Sequence, residues 1–432
     1  MNNLEAFMKQ KKLIVLGGTA ASLDVVKNAK KLNIYTIVTD DQKDRVAKKI
    51  ADESAMVSTT DIDGLVELVR KTKADGIFCG PSEFNIRNMI RACIKAGLPC
   101  YTDMDTWDKC ANKDVFKQYC REYSVDCVPE YIVTEETTDE ELERLDYPVI
   151  FKPVDRCSSI GISVCTCKEE AKIAFKKAMD ASNCKRIICE KYIENNGEIF
   201  GVRYFLKNGE AYPYLMIDTY VADPYKRTSL ISEVTITPSK YSDYYMKNMD
   251  MYVRKMFKGM GLKDGTVFVQ ALPYKGKIYF HEMGYRLSGG LIFKLTEPLM
   301  NINDMQMMIR FSVGGEIITE DELNRIDLSC GKKVGGQLMI PLREGTITKI
   351  NGLDEIKKLP TVVDFIQYYA ENETISKGCI GTLQQLFGRF SFIAESQEEL
   401  INSIKMIQNT LKVYDEYGEN MLTLPFDVTR AN

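Results

Sequence analysis

The first hundred residues alternate short apolar runs with amphipathic stretches, and this alternation restricts the fold more than any other feature of the chain. The apolar runs LIVLGG, IYTIVTDD and DGIFCG are followed by the amphipathic stretches DVVKNAKKL, LVELVRKT and RNMIRACIKAG. An apolar run of this length suits a buried strand, and an amphipathic stretch suits a helix with one buried face. The pattern therefore predicts a parallel sheet wrapped by helices, forming a first domain over residues 1–105.

A turn at Gly17-Gly18-Thr19-Ala20 follows the first predicted strand and opens the first predicted helix. Backbone amides at such a helix start can bind an anion. The turn is not a G-x-G-x-x-G sequence, so we favour a tight strand-to-helix connection over a dinucleotide site, and an NAD(P)-dependent oxidoreductase is the weakest of the functional alternatives.

Beyond the first domain the pattern changes twice. A helix is predicted from Trp107 to Tyr123, and a second one in the acidic segment DEELERL after Thr138. Strand-like runs such as PVIFKPV, RIICEKYI, FGVRYFL and GTVFVQAL then dominate, with turns that suit hairpins. We therefore expect a central antiparallel-sheet domain over 106–328 and a smaller α+β domain over 329–432, in a multidomain chain of mixed α/β and α+β class.

Composition and charge exclude several kinds of partner and site. The 432 residues carry a net charge of -4, so we expect neither a nucleic-acid nor an anionic membrane partner, while small anionic ligands remain compatible with local sites. The polar start MNNLEAFMKQKK precedes an apolar run too short for a membrane span or a secretory signal, and the 13 cysteines form no C-x-x-C pair. We expect a cytoplasmic protein.

The chain contains one histidine, His281, which narrows the chemistry. A metal site built from several histidines is excluded, and a serine or cysteine triad would have to use this residue, which we interpret as a strand-end side chain. Catalysis is therefore expected to rely on carboxylates, lysines, arginines and a metal ion.

Two segments place charged side chains at the ends of predicted strands. Lys152 ends the strand VIFK, and the loop DRCSSIGIS follows it, so that backbone amides, hydroxyls and a lysine could enclose phosphates. It is not a Walker A loop, and a polar hairpin loop is the alternative. In IICEKYI, Glu190 and Lys191 precede Glu198, and these charges could instead simply reach solvent.

A predicted hairpin brings oxygen ligands together. Gln270 lies on its first arm and Glu282 on its second, so that two oxygen-bearing side chains on one face could share a hard cation. Arg286 follows within a few residues and could neutralise a transferring phosphoryl group.

Taken together, these segments resemble the ATP-grasp superfamily, in particular its carboxylate-amine ligases, its biotin-carboxylase-like members and the large subunit of carbamoyl phosphate synthase. The resemblance is collective, runs from the first strand to nearly the end of the chain, and has its motifs between Lys113 and Gly290. It implies an N-terminal parallel α/β domain that precedes the ATP-grasp unit, a central ATP-binding region with a lid subdomain at about 125–192, and a small C-terminal domain.

The resemblance also implies roles for particular residues. The nucleotide phosphates would meet Lys113 and Lys152, under a lid loop containing Ser158, Ser159 and Gly161. Adenine would meet Glu190, Lys191 and Ile193, and Glu198 would bind the ribose hydroxyls. The metal would be held by Glu282 and Gln270, and the catalytic residues would be Arg286 and Lys152. Candidate contacts to substrate are Glu83, Arg203, Ser288, Gly289 and Gly290.

The metal positions depart from the family pattern. Members usually carry an acidic residue on the first arm and E-x-N-x-R on the second, whereas this chain has Gln270 on the first arm and Glu282 with Gly284 on the second. One carboxylate and one amide are missing, so metal binding should be weaker or limited to one ion.

The function implied by the resemblance is an ATP-dependent ligase that uses Mg²⁺ or Mn²⁺. It would phosphorylate a carboxylate and couple the acyl phosphate to an amine or another nucleophile, with a homodimer as an option. The altered metal site leaves open a regulatory subunit that binds ATP with little or no turnover. The sequence does not choose among amino acids, bicarbonate and a sugar acid as the carboxylate.

Overall fold

The computed structural model describes residues 11–154, 161–222 and 231–431. Its first part is the expected parallel α/β domain, with strand order β3-β2-β1-β4 and helices between the strands. The elements are β1 (Lys12–Leu16), α1 (Ala20–Lys31), β2 (Tyr35–Thr39), β3 (Glu53–Ala55), α2 (Ile62–Thr72), β4 (Gly76–Phe78) and α3 (Glu83–Ala96).

Two helices, and not the single one expected from Trp107 to Tyr123, follow the first domain. They are α4 (Met104–Ala111) and α5 (Lys113–Glu122), separated by Asn112. The Asn112 side-chain oxygen accepts hydrogen bonds from the amides of Asp114 at 3.0 Å and Val115 at 3.4 Å, so it caps α5. This cap places Lys113 at the first residue of the new helix.

A small antiparallel sheet with its own core forms the predicted lid region. Its strand order is β5-β8-β6-β7, and one helix packs against it. The elements are β5 (Glu130–Tyr131), α6 (Asp139–Glu143), β6 (Val149–Pro153), β7 (Ser163–Cys165), α7 (Lys168–Ala181) and β8 (Ile187–Lys191). Helix α6 begins in the predicted acidic segment, with Thr138 and Glu141 forming a capping box.

The largest sheet is antiparallel and has eight strands, and it supplies both arms of the predicted metal hairpin. Its first half contains β9 (Glu198–Lys207), β10 (Glu210–Val221), β11 (Ser232–Thr237), β12 (Gly265–Tyr274) and β13 (Lys277–Gly284). Helices α8 (Ser242–Asn248) and α9 (Asp250–Met260) precede β12, and α10 (Phe293–Met300), α11 (Asp304–Ser312) and α12 (Glu320–Leu323) follow β13.

The C-terminal part continues the same sheet, whose full order is β13-β12-β9-β10-β11-β14-β19-β17. Its elements are β14 (Val334–Pro341), β15 (Gly345–Thr346), β16 (Lys349–Asn351), α13 (Leu353–Ile356), β17 (Val362–Gln367), β18 (Thr374–Ile375), β19 (Leu386–Ala394), α14 (Gln397–Thr410) and β20 (Lys412–Tyr414). Because β14 pairs with β11, hydrogen bonds cross the boundary predicted at residue 328, and the main core of the C-terminal part also includes Tyr220, Val234 and Ile236. The domain boundaries stay a prediction.

In the part of the chain that the structure describes, no helix has both the length and the apolar character needed to cross a bilayer.

Candidate active site

A buried group of three charges links α5 to the lid sheet. Glu190, at 1% exposure, forms ion pairs with Lys117 and Lys152. Lys117 is fully buried and also donates a hydrogen bond to the carbonyl of Val128 at 3.2 Å. Burial alone would raise the pKa of Glu190, but the two ammonium groups outweigh that effect and lower the pKa to about 2. Glu190 is therefore an ionised carboxylate that holds both lysines in place.

Lys117 was not among the residues predicted from the sequence. It lies between Phe116 and Cys120, which are both buried on the inner face of α5. A lysine on the apolar side of an amphipathic helix needs a buried partner, so the helical periodicity of this segment carried the signal.

A small cavity brings together four of the predicted residues. Lys113, Glu282, Arg286 and Glu83 all line a space of about 30 Å³. The Arg286 guanidinium donates to Glu83 Oε2 at 3.1 Å and to the carbonyl of Leu287 at 2.9 Å. The cavity is thus lined by the lysine at the start of α5, by the carboxylate on β13 and by the arginine that follows this strand.

The hairpin between β12 and β13 contains a bulge that decides which side chain faces Gln270. The pairing runs regularly from Tyr274 with Lys277 to Ala271 with Phe280, and it then shifts by one residue. The shift places Glu282, and not His281, opposite Gln270. A carboxylate and an amide oxygen therefore stand on neighbouring strands, which is an arrangement that fits a hard divalent cation.

His281, next to Glu282 in β13, lies within the electrostatic influence of Lys152, Glu190 and Lys117. Its Nε2 is buried and has no hydrogen-bond partner among the described residues. Burial, followed by the positive charge of Lys152, lowers the pKa of the imidazole to about 3. The sequence suggested only a strand-end side chain, whereas the structure places a neutral imidazole beside the lysines.

We expect the imidazole to remain neutral from pH 8 down to pH 5. Because the chain has a single histidine, its NMR signals report this site without assignment. In the untagged native protein these signals should not titrate in that range, whereas in the urea-unfolded chain they should titrate near pH 6.5. The unfolded state then binds the extra proton, so this residue lowers the stability as the pH falls below 6.5. A native midpoint near 6.5 would contradict the buried placement.

Comparison with known proteins agrees with this geometry. A sequence profile described as "D-ala D-ala ligase C-terminus" matches residues 129–284. An L-amino acid ligase from Bacillus licheniformis superposes with a TM-score of 0.78 at 18% identity, covering 94% of this chain and 99% of that one. The chain has the ATP-grasp fold. ATP and Mg²⁺ are typical of proteins with this ATP-grasp fold.

Other similar proteins have related but different descriptions. The biotin carboxylase domain of 2-oxoglutarate carboxylase from Hydrogenobacter thermophilus, a dimer in complex with MgADP, ADP and bicarbonate, has a TM-score of 0.73 at 19% identity and covers 96% of this chain and 91% of its own. A formate-dependent phosphoribosylglycinamide formyltransferase from Wolinella succinogenes is 22% identical over 315 residues, which are 72% of this chain and 78% of that protein. The carbamoyl phosphate synthase large chain of Clostridium botulinum is 24% identical over 302 residues, which are 65% of this chain but only 27% of that protein.

The remaining nucleotide residues of the ATP-grasp prediction are placed as follows. Ser158 and Ser159 lie outside the described residues. Gly161 packs against the lid, because a Cβ there would lie 2.7 Å from both Ala181 and Pro153. Lys191 donates to the carbonyls of Asp146 and Tyr147, Ile193 is buried, and Glu198 pairs with Lys240 at 2.7 Å. Their contacts with a nucleotide stay predictions.

Arg203 lies in β9 and is only 6% exposed. Burial lowers the pKa of its guanidinium to about 10. Its contact with a substrate stays a prediction.

The glycine turn after Arg286 is anchored by the C-terminal strands. The carbonyl of Gly290 accepts a hydrogen bond from Gln337 at 2.9 Å, and the carbonyl of Gly289 accepts one from Arg389 at 3.3 Å. Ser288, which precedes this pair, is half-buried. The turn is thus fixed between the metal hairpin and the strands β14 and β19.

A much larger cleft, of about 970 Å³, adjoins this turn. It lies at the carboxyl ends of the first-domain strands, where the Gly17 turn meets β17 of the C-terminal part, and Gly289 lines it. Lys294 spans it, with Nζ 2.9 Å from Asp364 and 3.9 Å from Asp24. The charged lining residues are Asp24, Lys27, Asp40, Asp41, Arg45, Lys294 and Asp364.

Proposed function

We propose that this chain is an ATP-dependent ligase that phosphorylates a carboxylate and couples it to an amine, releasing ADP and phosphate. The observation that carries the proposal is the grouping of Lys113, Glu282 and Arg286 around one cavity. Phosphoryl transfer needs positioning and neutralisation of negative charge, and this grouping supplies both.

The reaction has two steps. In the first, a carboxylate oxygen attacks the γ-phosphorus, the bond to the bridging oxygen breaks, and ADP leaves. In the second, the amine attacks the carbonyl carbon of the acyl phosphate, inorganic phosphate leaves, and the amine proton passes to solvent or to a nearby carboxylate. Lys113 and Lys152 orient the phosphates, and Arg286 stabilises the charge that develops on the transferred group.

Glu282 and Gln270 are the residues that would hold a divalent ion. Their pairing across the hairpin fits a hard cation, because each contributes an oxygen from a neighbouring strand. When bound, Mg²⁺ would neutralise phosphate charge.

The large cleft is our candidate site for the second substrate. Four aspartates line it against three cationic side chains, which favours a substrate with an amine over one that is strongly anionic. The similar proteins named above act on different small molecules, including formate, L-amino acids and bicarbonate by their descriptions. The proposal therefore names the substrate only as a small carboxylate. We also propose that the chain forms a homodimer, as described for the biotin carboxylase domain.

The test is ADP release measured with Mg²⁺ or Mn²⁺ over a panel of carboxylate and amine pairs. We expect release that depends on both substrates, and a decrease of at least about 100-fold in Glu282→Gln, because the metal ligand loses its charge. Glu210→Gln, which changes a 65% exposed side chain in a surface ion pair, is the matched control. Equal rates for Glu282→Gln and the parent would rule out the metal role.

A second candidate is an ATP-binding regulatory subunit with little turnover. The neutral Gln270 and the side-chain-free Gly284 favour it, because both weaken the metal site. Nucleotide binding with no ADP release across the whole panel would select this alternative over the ligase.

A further inference from the structure

The hairpin between β12 and β13 departs from the family pattern at Gln270 and at Gly284. Phe268 lies next to both positions. This residue pairs with Gly284 across β12 and β13, one step along from the Gln270–Glu282 pair. A Cβ on Gly284 would lie 2.4 Å from Phe268 Cζ and 2.5 Å from Cε1, so the ring occupies the space that a side chain at 284 would need. The Arg286 guanidinium lies 5.2 Å above the same ring. A side chain with an oxygen ligand at position 284 would therefore have to displace the Phe268 ring.

A buried cation lies on the other side of Gln270. Gly201 pairs with Gln270 across β9 and β12, and Arg203 pairs with Phe268, so all four residues share one face of the sheet. The Arg203 Nη1 lies 2.7 Å from where a Cβ on Gly201 would be, which places the guanidinium over Gly201. Its Nε and Nη1 have no hydrogen-bond partner among the described residues.

The charges on this face do not fit two metal ions. Of the positions Gln270, Glu282, Phe268 and Gly284, only Glu282 carries a negative charge. Two divalent ions would bring four positive charges next to one carboxylate and the Arg203 guanidinium, whose own charge is only partly offset by Asp304, at a site that is partly shielded from water. A single ion can still be held by Glu282 together with nucleotide phosphates.

We infer that the site takes one divalent ion with its nucleotide, and that Phe268 and Arg203 exclude a second. The inference rests on the proposed nucleotide site. It gives Phe268 and Arg203 a function that neither has in the proposed mechanism: they set the number of metal ions. Arg203 acts from within the sheet, without contact to the substrate.

The experiment counts Mn²⁺ ions by electron paramagnetic resonance in the presence of a saturating, non-hydrolysable ATP analogue, whose own binding is measured in parallel by calorimetry. We expect one bound Mn²⁺ per chain, with no spin coupling between ions. The combined variant Gln270→Glu, Phe268→Ala and Gly284→Asn should bind two, with a coupled signal. Gly284→Asn alone should not, because Phe268 still fills the space.

A single substitution provides a second measurement in case the combined variant does not fold. Gln270→Glu changes one half-buried side chain and should raise the affinity for the one Mn²⁺ roughly tenfold or more, without adding a second. Two coupled ions in the parent, or in Gln270→Glu, would overturn the inference while leaving the proposed function intact. An analogue that does not bind at all would overturn both.

Discussion

Glu190→Gln should lower the free energy of unfolding by about 3–5 kcal/mol, because it leaves the buried Lys117 with only the more distant Glu130 carboxylate, 3.8 Å away, as an opposing charge. Chemical denaturation followed by circular dichroism measures this loss. The parent should also lose stability as the pH falls from about 4.5 to about 2, since the native pKa of Glu190 is lowered and its unfolded value is near 4.5. The stabilisation by the ionised Glu190 is fully present above about pH 4.5, and Glu190→Gln should show no such loss of stability between about pH 4.5 and about pH 2.

Two controls separate a buried charge from a general loss of packing. Replacing Lys117 and Glu190 together, by Met and Leu, should recover part of the stability, because the fully buried cation is removed with its partner and only the half-buried Lys152 loses an ion pair. Breaking the exposed pair between Lys258 and Glu210 should change the stability by less than about 0.5 kcal/mol. If Glu190→Gln is as mild as this surface change, the buried ion pairs are not what holds α5 against the lid.

Arg286→Met should reduce kcat for ADP release by about 100- to 1000-fold, because it removes a fixed positive charge from the transferring phosphoryl group. KM should change much less, since that contact strengthens mainly in the transition state. Arg286→Lys should recover little, because a lysine cannot both donate to Glu83 and the Leu287 carbonyl and stack on Phe268 with the same geometry.

Lys258→Met is the matched control for this loss of a cation, because Lys258 is 73% exposed on α9 and lies outside the proposed site. Its kcat should equal that of the parent. The kcat of Glu83→Gln should lie between those of Lys258→Met and Arg286→Met, because this change removes an ion pair of Arg286 but keeps its guanidinium. A decrease below about fivefold in Arg286→Met would contradict a catalytic role for the guanidinium.

Local patterns in the sequence were sufficient to predict the parallel α/β domain and the hairpin between β12 and β13. The two-residue connection Lys275-Gly276 has positive φ angles at both positions, which suits a tight hairpin turn and was visible in the segment YKGKIY. The hairpin was therefore predicted, and with it the proximity of Gln270 and Glu282. The α4–α5 break was missed, because a cap by Asn112 inside an apolar helical pattern is a weak signal.

What the sequence could not provide depends on contacts between distant segments. Lys117 and Glu190 are 73 positions apart, and only the folded chain shows that one neutralises the other. Phe268 explains Gly284 only once the two strands are paired. The pairing of β11 with β14 likewise joins segments about a hundred residues apart, and the local sequence pattern could not predict it.

The single extra residue in β13 has a consequence for how such a site can vary. Without the bulge, the regular pairing would continue and set His281 opposite Gln270. Deleting the one residue between Phe280 and Glu282, which is His281 itself, would remove the bulge, keep Glu282 opposite Gln270 and take away the only imidazole of the chain. At this hairpin, a loss of one residue would thus change what lies beside the metal position without changing the Gln270–Glu282 pair, so relatives should be compared by strand register before their side chains are compared.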